Sequence, residues 1–196
     1  MLEDIADVVA GLQGRRLVAI DGVDGAGKTT FADRLAPMIE ARGGSVVRAT
    51  VDGFHNPRSI RYRRGRSDPM GYFVDSYDDA QLQERLLQPF RDGASSVCTK
   101  CFDHHADGPD IVSRTVEKTA ILLIDGIFLH RDELVDYWDY SVFLRVPFDV
   151  SFRRMAARDG TDPDPAAESN RRYLGGQRIY LDLCRPEARA SRVIDG

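Results

Sequence analysis

A glycine-rich segment that ends in a lysine and two threonines carries the clearest chemistry of this sequence. Residues 22 to 29 read GVDGAGKT and fit the pattern G-x-x-x-x-G-K-[ST] without a mismatch. Small residues let backbone N–H groups wrap around an anion, and the lysine and hydroxyl that follow can bind phosphates and Mg²⁺. The alternatives are a dinucleotide loop, whose G-x-G-x-x-G spacing is not matched, and a turn that binds nothing. The segment predicts a nucleoside triphosphate site formed by Gly22, Asp24, Gly25, Ala26, Gly27, Lys28, Thr29 and Thr30.

Two aspartates follow apolar segments that are typical of buried strands. Asp125 ends the run ILLID, where an acid can hold Mg²⁺ through water, and Asp52 follows the segment SVVRATV. A carboxylate at position 52 could accept the proton of an attacking hydroxyl or touch the metal. The structural alternatives are an Asp125 that caps the next turn and an Asp52 that forms an Asp-Gly turn. No N-K-x-D motif is present, so a GTPase switch protein is disfavoured.

Arginines occur in two further groups. Arg154 and Arg158 are four residues apart and share a helix face with a charge that could stabilise a transferring phosphoryl group. A solvated helix face is the alternative for each of them. Five arginines also crowd the nine residues 58 to 66. That group predicts either a solvated loop or a second substrate with an anionic group.

These residues need an α/β framework to meet. Alternation of apolar strand segments with helical spacing predicts a parallel sheet flanked by helices, in which ligands bind beyond the carboxyl ends of the strands. A short surface helix is expected at the N-terminus, a long loop over 56–78, and a pair of short strands over 97–102 and 110–116. The predicted sheet strands are 16–20, 45–51, 120–128, 140–146 and a final SRVID segment; the predicted later helices are 79–91, 149–158 and 167–184.

Size and composition limit the class of protein. The chain has 196 residues, 42% of them apolar, and a net charge of −4. We expect a single domain over residues 1–196, with a lid at about 153–172. No long basic stripe favours nucleic acid, and no segment favours a membrane, so we expect a cytoplasmic protein with a small-molecule partner. The sequence leaves a homo-oligomer open.

The segment Cys98-x-x-Cys101, followed by His104 and His105, could be considered as a zinc site. Structural zinc sites usually separate their two ligand pairs more widely than these four residues. A strand pair with a polar tip near the substrate is therefore the favoured interpretation.

Taken together, these segments resemble the uridine kinase/phosphoribulokinase-like family of P-loop kinases, and within it the uridine–cytidine kinases most. The resemblance runs from about residue 15 to the C-terminus. FDHHAD stands where the family has a Tyr-Asp-Phe-x-x-His hairpin, and IDGIF where it has Glu-Gly-Ile. The other matching segments are GVDGAGKTT, VDGFH, YFVDSYD, RRMAARD and PEARASRVID.

The resemblance implies roles for individual residues. Lys28 and Thr29 would bind ATP phosphates and Mg²⁺, Asp52 would be the base, and Asp125 would stand in for a metal-associated Glu. Catalysis would involve Lys28, Asp52, Arg154 and Arg158, and the metal would be held by Thr29, Asp52 and Asp125. The acceptor site would comprise Asp52, Phe54, His55, Tyr72, Phe102, Asp103, Asp107 and Arg171.

Three positions depart from the family pattern. Asp107 stands where the family hairpin has a His that reads the pyrimidine base, and Phe102 replaces a Tyr. Tyr72 aligns with an Asp that holds the ribose hydroxyls in nucleoside kinases, with Asp75 only nearby.

The expected activity is ATP-dependent phosphorylation of a hydroxyl on a small molecule such as uridine or cytidine. Other acceptors stay open, namely nicotinamide riboside, pantothenate, a sugar or a sugar phosphate. A non-catalytic ATP-binding regulator or a switch ATPase is the alternative from another class, and Asp52 and the lid arginines speak against it.

Overall fold

A five-stranded parallel sheet forms the centre of the computed structural model, which describes residues 1–196. The strands, in chain order, are β1 (Arg16–Gly22), β2 (Ser45–Thr50), β3 (Ser96–Asp103), β4 (Gly108–Thr115), β5 (Ala120–Asp125), β6 (Tyr140–Arg145) and β7 (Arg192–Asp195). Five of them pair in the order β2-β5-β1-β6-β7, and β3 and β4 form a separate antiparallel hairpin. The expected α/β fold with a parallel sheet and a hairpin is confirmed.

Helices cover the sheet, and none of them is both long and apolar enough to span a bilayer. The helices are α1 (Leu2–Ala10), α2 (Lys28–Glu40), α3 (Arg58–Arg61), α4 (Pro69–Asp75), α5 (Asp79–Leu82), α6 (Gln88–Arg91), α7 (Phe148–Asp159), α8 (Arg171–Cys184) and α9 (Pro186–Arg189). Short 3₁₀ turns lie at Val51–Phe54, Val135–Tyr137 and Glu168–Asn170, and a π turn spans Gln83–Leu87.

Alternating side chains of the central strands feed two separate hydrophobic cores. Val18 and Ile20 of β1 pack in one core with side chains of α1 and α2. Leu17 and Ala19 pack in the other core, which includes Tyr180 of α8 and side chains of α5 and α6. Successive residues of a strand point to opposite faces, so a central strand must be apolar throughout. This explains why all six residues of β5 are buried.

The parallel register brings the carboxyl ends of three strands to one edge. Asp125 at the end of β5 is aligned with Ile20 of β1 on one side and with Thr50 of β2 on the other. The glycine-rich segment and Asp52 follow directly after β1 and β2. The register therefore places the predicted phosphate loop and both predicted carboxylates at the same edge of the sheet.

The segment expected to be a long loop over 56–78 contains two helices, α3 and α4, so that prediction is wrong. Its second helix, α4, begins after Asp68, whose side chain accepts a hydrogen bond from the Gly71 N–H at 2.5 Å, with Pro69 as the first helical residue. An aspartate cap followed by proline is a strong helix start, which the high arginine and glycine content of the segment obscured. Two strand predictions are also too long: β5 ends at Asp125 rather than 128, and β6 ends at Arg145.

A buried polar cluster supports the sheet beneath the glycine-rich segment. Asp21, His130, Ser141 and Tyr180 are all buried. The Tyr180 hydroxyl donates to Asp21, and His130 Nδ1 and Nε2 lie 2.7 Å from Asp21 Oδ2 and 2.9 Å from Ser141 Oγ. The other Asp21 oxygen accepts the Gly22 N–H at 2.7 Å. The cluster ties the start of the phosphate loop to α8.

Tyr180→Phe tests this cluster. The variant removes the hydroxyl that binds both the buried Asp21 carboxylate and the His130 N–H. We therefore expect the free energy of unfolding to fall by about 1–3 kcal/mol. Urea denaturation measures the change. Tyr140→Phe, at a half-buried tyrosine without a hydrogen-bond partner, is the matched control; equal losses in both variants would contradict a specific role for the cluster.

Candidate functional site

A cavity of about 540 Å³ opens at the carboxyl edge of the sheet. This volume lies within the range of small-molecule sites in proteins. Its wall contains most of the residues expected to hold nucleotide and metal: Asp24, Gly25, Gly27, Lys28, Thr29, Thr30, Asp52 and Asp125. Gly22 and Ala26 contribute to the same loop through its backbone.

The phosphate loop owes its shape to glycines in the left-handed region. Gly25 and Gly27 have φ values of 71° and 90°, a backbone conformation that L residues with a side chain rarely adopt. A Cβ atom on Gly25 would lie only 2.4 Å from the carbonyl oxygen of Ser151 in α7. No side chain caps α2, so the N–H groups of its first turn remain for an anion at the positive end of the helix.

The lysine, the threonine and the strand-end aspartate lie together at the edge of the cavity. Lys28 Nζ donates to the carbonyl of Val23 at 2.8 Å, within the loop. The Thr29 hydroxyl donates to Asp125 Oδ2 at 2.7 Å. The other oxygen of the buried Asp125 accepts from Arg48 Nη2 at 2.8 Å. Mg²⁺ prefers oxygen ligands of this kind, so Thr29 and Asp125 fit the ion chemically.

Asp52 lies in the cavity beside a phenol that donates a hydrogen bond to its carboxylate. The Tyr77 hydroxyl donates to Asp52 Oδ1 at 3.1 Å. Burial, together with the nearby Asp52 charge, raises the pKa of Tyr77 well above its usual value, so the phenol stays protonated. His55 Nδ1 lies 2.9 Å from the Asp52 carbonyl oxygen and helps hold the 3₁₀ turn that carries the carboxylate. Asp52 keeps its second carboxylate oxygen for a ligand.

A second carboxylate of the cavity comes from the phosphate loop. Asp24 Oδ2 accepts from the Tyr72 hydroxyl at 2.6 Å, and the Asp24 N–H donates to Gln177 of α8 at 2.8 Å. Burial raises the pKa of Asp24, and the Lys28 charge and the Tyr72 hydrogen bond partly offset this rise. The loop is thus fastened to α4 and α8.

The two expected lid arginines differ in position. Arg158 lines the cavity and is paired with Asp159, whose hydrogen bonds raise the pKa of the guanidinium. Arg154 is exposed and does not line the cavity.

Only some of the residues predicted to bind the acceptor lie in the cavity. His55 and Tyr72 line the cavity, but the structure does not bring five others there. Phe54 is fully buried in the core, and Arg171 is exposed and paired with Glu168. The remaining three belong to the hairpin: Phe102 lies on β3, Asp103 accepts N–H groups of the hairpin turn, and Asp107 accepts the Arg58 N–H.

The two hairpin thiols contact each other rather than the histidines. Cys98 Sγ and Cys101 Sγ are 2.9 Å apart, and burial raises the pKa of Cys101 to about 12. His104 and His105 instead line the cavity, and the His104 ring stacks on His55 with centroids 4.4 Å apart. The four side chains therefore do not form one ligand set.

Some residues at the site escape sequence reasoning. Tyr77 of the cavity wall and Arg48, which binds Asp125, have no local pattern that distinguishes them. Arg172 could have been chosen over Arg171, because Arg172, Gly176 and Tyr180 are spaced by four and form the buried face of α8.

Comparison with known proteins agrees with this geometry. A family model described as an AAA domain matches residues 18–175. Uridine kinase of Leuconostoc citreum (strain KM20) is 24% identical over 144 residues, which are 73% of this chain and 68% of that protein. Nicotinamide riboside kinase 1 of Rattus norvegicus is 26% identical over 153 residues, covering 76% and 69%. The structure of a possible uridine kinase from Bacillus stearothermophilus superimposes with a TM-score of 0.80 at 23% identity, covering 99% and 97% of the two chains.

The fold and the loop define a P-loop protein with a kinase-like site. The chain belongs to the AAA domain family, and its resemblance to uridine kinase/phosphoribulokinase-like P-loop kinases is confirmed. It is an enzyme of the small-molecule kinase class, and this family binds ATP.

Gly25→Ala tests the geometry of the loop. The new methyl group meets the Ser151 carbonyl, so we expect Mg·ATP affinity to fall by about 10-fold or more, on top of about 1–2 kcal/mol of backbone strain. Gly160→Ala is the matched control, because Gly160 has a φ of 70° and no atom within 4 Å of an added Cβ. Calorimetric titration and urea denaturation separate the two effects. Unchanged affinity in Gly25→Ala would contradict this account of the loop.

Proposed function

We propose that the protein transfers the γ-phosphoryl group of ATP to a hydroxyl group of a small acceptor, with Asp52 as the base. The observation that carries this proposal is that Asp52 shares one cavity with the phosphate loop and keeps an oxygen free of protein partners. A switch or regulator that only binds ATP has no use for such a carboxylate. The relatives support a kinase, because the uridine and nicotinamide riboside kinases among them both phosphorylate a small molecule by name.

The reaction divides among the residues of the cavity. Asp52 accepts the proton as the acceptor oxygen forms its bond to the γ-phosphorus and the bond to the β,γ-bridging oxygen breaks, releasing ADP. Lys28, the loop amides and Arg158 stabilise the negative charge that spreads over the transferring group. Thr29 and Asp125 would hold Mg²⁺, which neutralises phosphate charge when bound. Positioning and cations are the main requirements of such a transfer.

The first acceptor to test is a nucleoside such as uridine or cytidine, as the family resemblance implies. The alternatives are nicotinamide riboside, pantothenate, a sugar and a sugar phosphate. Tyr72 fills the position of the ribose-binding Asp of nucleoside kinases, and its hydroxyl is engaged by Asp24. Asp75 cannot replace that Asp, because it is buried and paired with Arg63 and Arg64. These contacts favour an acceptor that is not held through ribose hydroxyls at this position.

Release of ADP with and without each acceptor tests the proposal. We expect release that depends on one acceptor class and on Mg²⁺. Release that is independent of every acceptor would support an ATPase instead.

Asp52→Asn tests the base. The amide keeps the shape and can still accept from Tyr77, but it cannot take a proton, so we expect kcat to fall by about 100- to 10,000-fold. Affinity for Mg·ATP, measured by calorimetry, should change by less than about threefold, because changes at sites without shared partners have nearly independent effects. The exposed Asp182→Asn is the control. A wild-type rate in Asp52→Asn would show that Asp52 is not the base.

Lys28→Ala tests the phosphate site in the same assay. Loss of the ammonium removes its contact with the terminal phosphates, and we expect turnover to fall by about 100- to 1,000-fold or below detection. Retention of turnover would place the triphosphate elsewhere.

A further inference from the structure

Two buried arginines line the cavity; one has a single long contact with a carboxylate, and the other has none. Arg61 of α3 and Arg172 of α8 are only 8% and 3% exposed. Removing a guanidinium from water costs several kcal/mol unless an opposite charge or a full set of hydrogen bonds compensates. Their surroundings therefore indicate what the cavity is built to bind.

Arg61 is incompletely satisfied. Its Nη2 lies 3.2 Å from the carbonyl oxygen of His104 and 3.4 Å from Asp107 Oδ1, both long contacts. Its Nε is buried and has no hydrogen-bond partner at all. Asp107 is shared, because the same oxygen accepts the Arg58 N–H at 2.8 Å. Most buried polar groups have a hydrogen-bond partner, so this Nε, on the wall of an open cavity, can donate to a bound molecule.

Arg172 touches only carbonyl oxygens and aromatic rings. It donates to the carbonyls of Gly65 and Asp68, and at 2.7 Å to that of Arg61, so the two arginines are directly linked. Its guanidinium carbon lies 5.0 Å from the centre of the Tyr62 ring. No carboxylate lies within ion-pair distance of Arg172, so only carbonyl oxygens and aromatic rings face its charge.

The other arginines of the crowded segment have different roles. Arg63 and Arg64 bind the buried Asp75, and Arg66 is exposed and stacks on Tyr62. Only Arg58 and Arg61 line the cavity. The fold thus selects part of the cluster for the site and assigns the rest to structure.

The carboxylates of the cavity do not neutralise these cations. Asp24 is engaged by Tyr72, Asp52 by Tyr77, and Asp125 by Thr29 and Arg48. His104 lies next to Arg61, and burial lowers the pKa of its imidazole.

We infer that the acceptor carries an anionic group, a phosphate or a carboxylate, that Arg61 and Arg172 bind while its hydroxyl faces Asp52. This inference rests on the proposed function. Arg61 contacts the hairpin side of the cavity at His104, whereas Lys28 and Arg158 belong to the phosphate-loop side, so the two anions of the reaction have separate cations. An unmodified nucleoside has no anionic group for this pair.

Binding of inorganic phosphate to protein saturated with Mg²⁺ and a non-hydrolysable ATP analogue tests the inference without turnover. The analogue occupies the phosphate loop, so remaining phosphate binding reports a second site. We expect Arg61→Gln to weaken that binding by about 10- to 100-fold, the loss typical of a hydrogen bond to a charged group. Arg66→Gln, an exposed member of the same cluster, should leave it unchanged. Formate and acetate in place of phosphate distinguish a carboxylate site from a phosphate site.

Arg61→Gln also removes a poorly compensated buried charge, so the folded protein should survive the change, which urea denaturation verifies. Absence of phosphate and carboxylate binding to the loaded wild-type protein, or equal binding in Arg61→Gln, would overturn the inference. Failure to bind the ATP analogue would instead overturn the proposed function.

Turnover is the second test of the inference. It compares neutral and anionic acceptors of the same skeleton, namely ribose with ribose 5-phosphate and glycerol with glycerate. Uridine is added as a neutral nucleoside. We expect the anionic members to be used at least about 10-fold better, and Arg61→Gln to raise their KM about 10- to 100-fold while the KM for ATP stays within about twofold. Preference for uridine that is insensitive to Arg61→Gln would overturn the anionic acceptor and leave the kinase reaction standing. An equal rise in the KM for ATP would assign Arg61 to the nucleotide instead.

Discussion

The parallel register of three strands is the constraint on which the site depends. Asp125 on β5 can meet the Thr29 hydroxyl and Arg48 only because β5 lies between β1 and β2 with its end level with theirs. A slip of one residue would turn Asp125 to the other face of the sheet. The contact between Thr29 and Asp125 thus depends on the hydrogen bonds that fix the strand register.

Helix α8 joins the phosphate loop to the arginines of the cavity wall. Tyr180 donates to Asp21 below the loop, Gln177 accepts the N–H of Asp24 within it, and Arg172 donates to the Arg61 carbonyl. About two turns of one helix therefore relate these contacts. Helix α4 also packs closely on α8, because a side chain at Gly176 would clash with Tyr72.

The cavity wall carries charges of both signs. Its cations include Lys28, Arg158, Arg61 and Arg172. The carboxylates of Asp24, Asp52 and Asp125 are each held by a hydroxyl or a guanidinium. The burial that makes the arginines costly also strengthens their attraction for an anion, because the local dielectric is low.

The sequence alone determined the phosphate loop, the alternation of strands and helices and the two strand-end aspartates, because these depend on local spacing and on side-chain periodicity. The tertiary structure decided which arginines face the cavity. Arg61 and Arg63 look alike in the chain, but Arg63 binds Asp75 and Arg61 lies on the cavity wall. The tertiary structure also decided that Phe54 belongs to the core and that the Tyr77 hydroxyl donates to Asp52. Such assignments depend on contacts between residues distant in sequence, which no local pattern encodes.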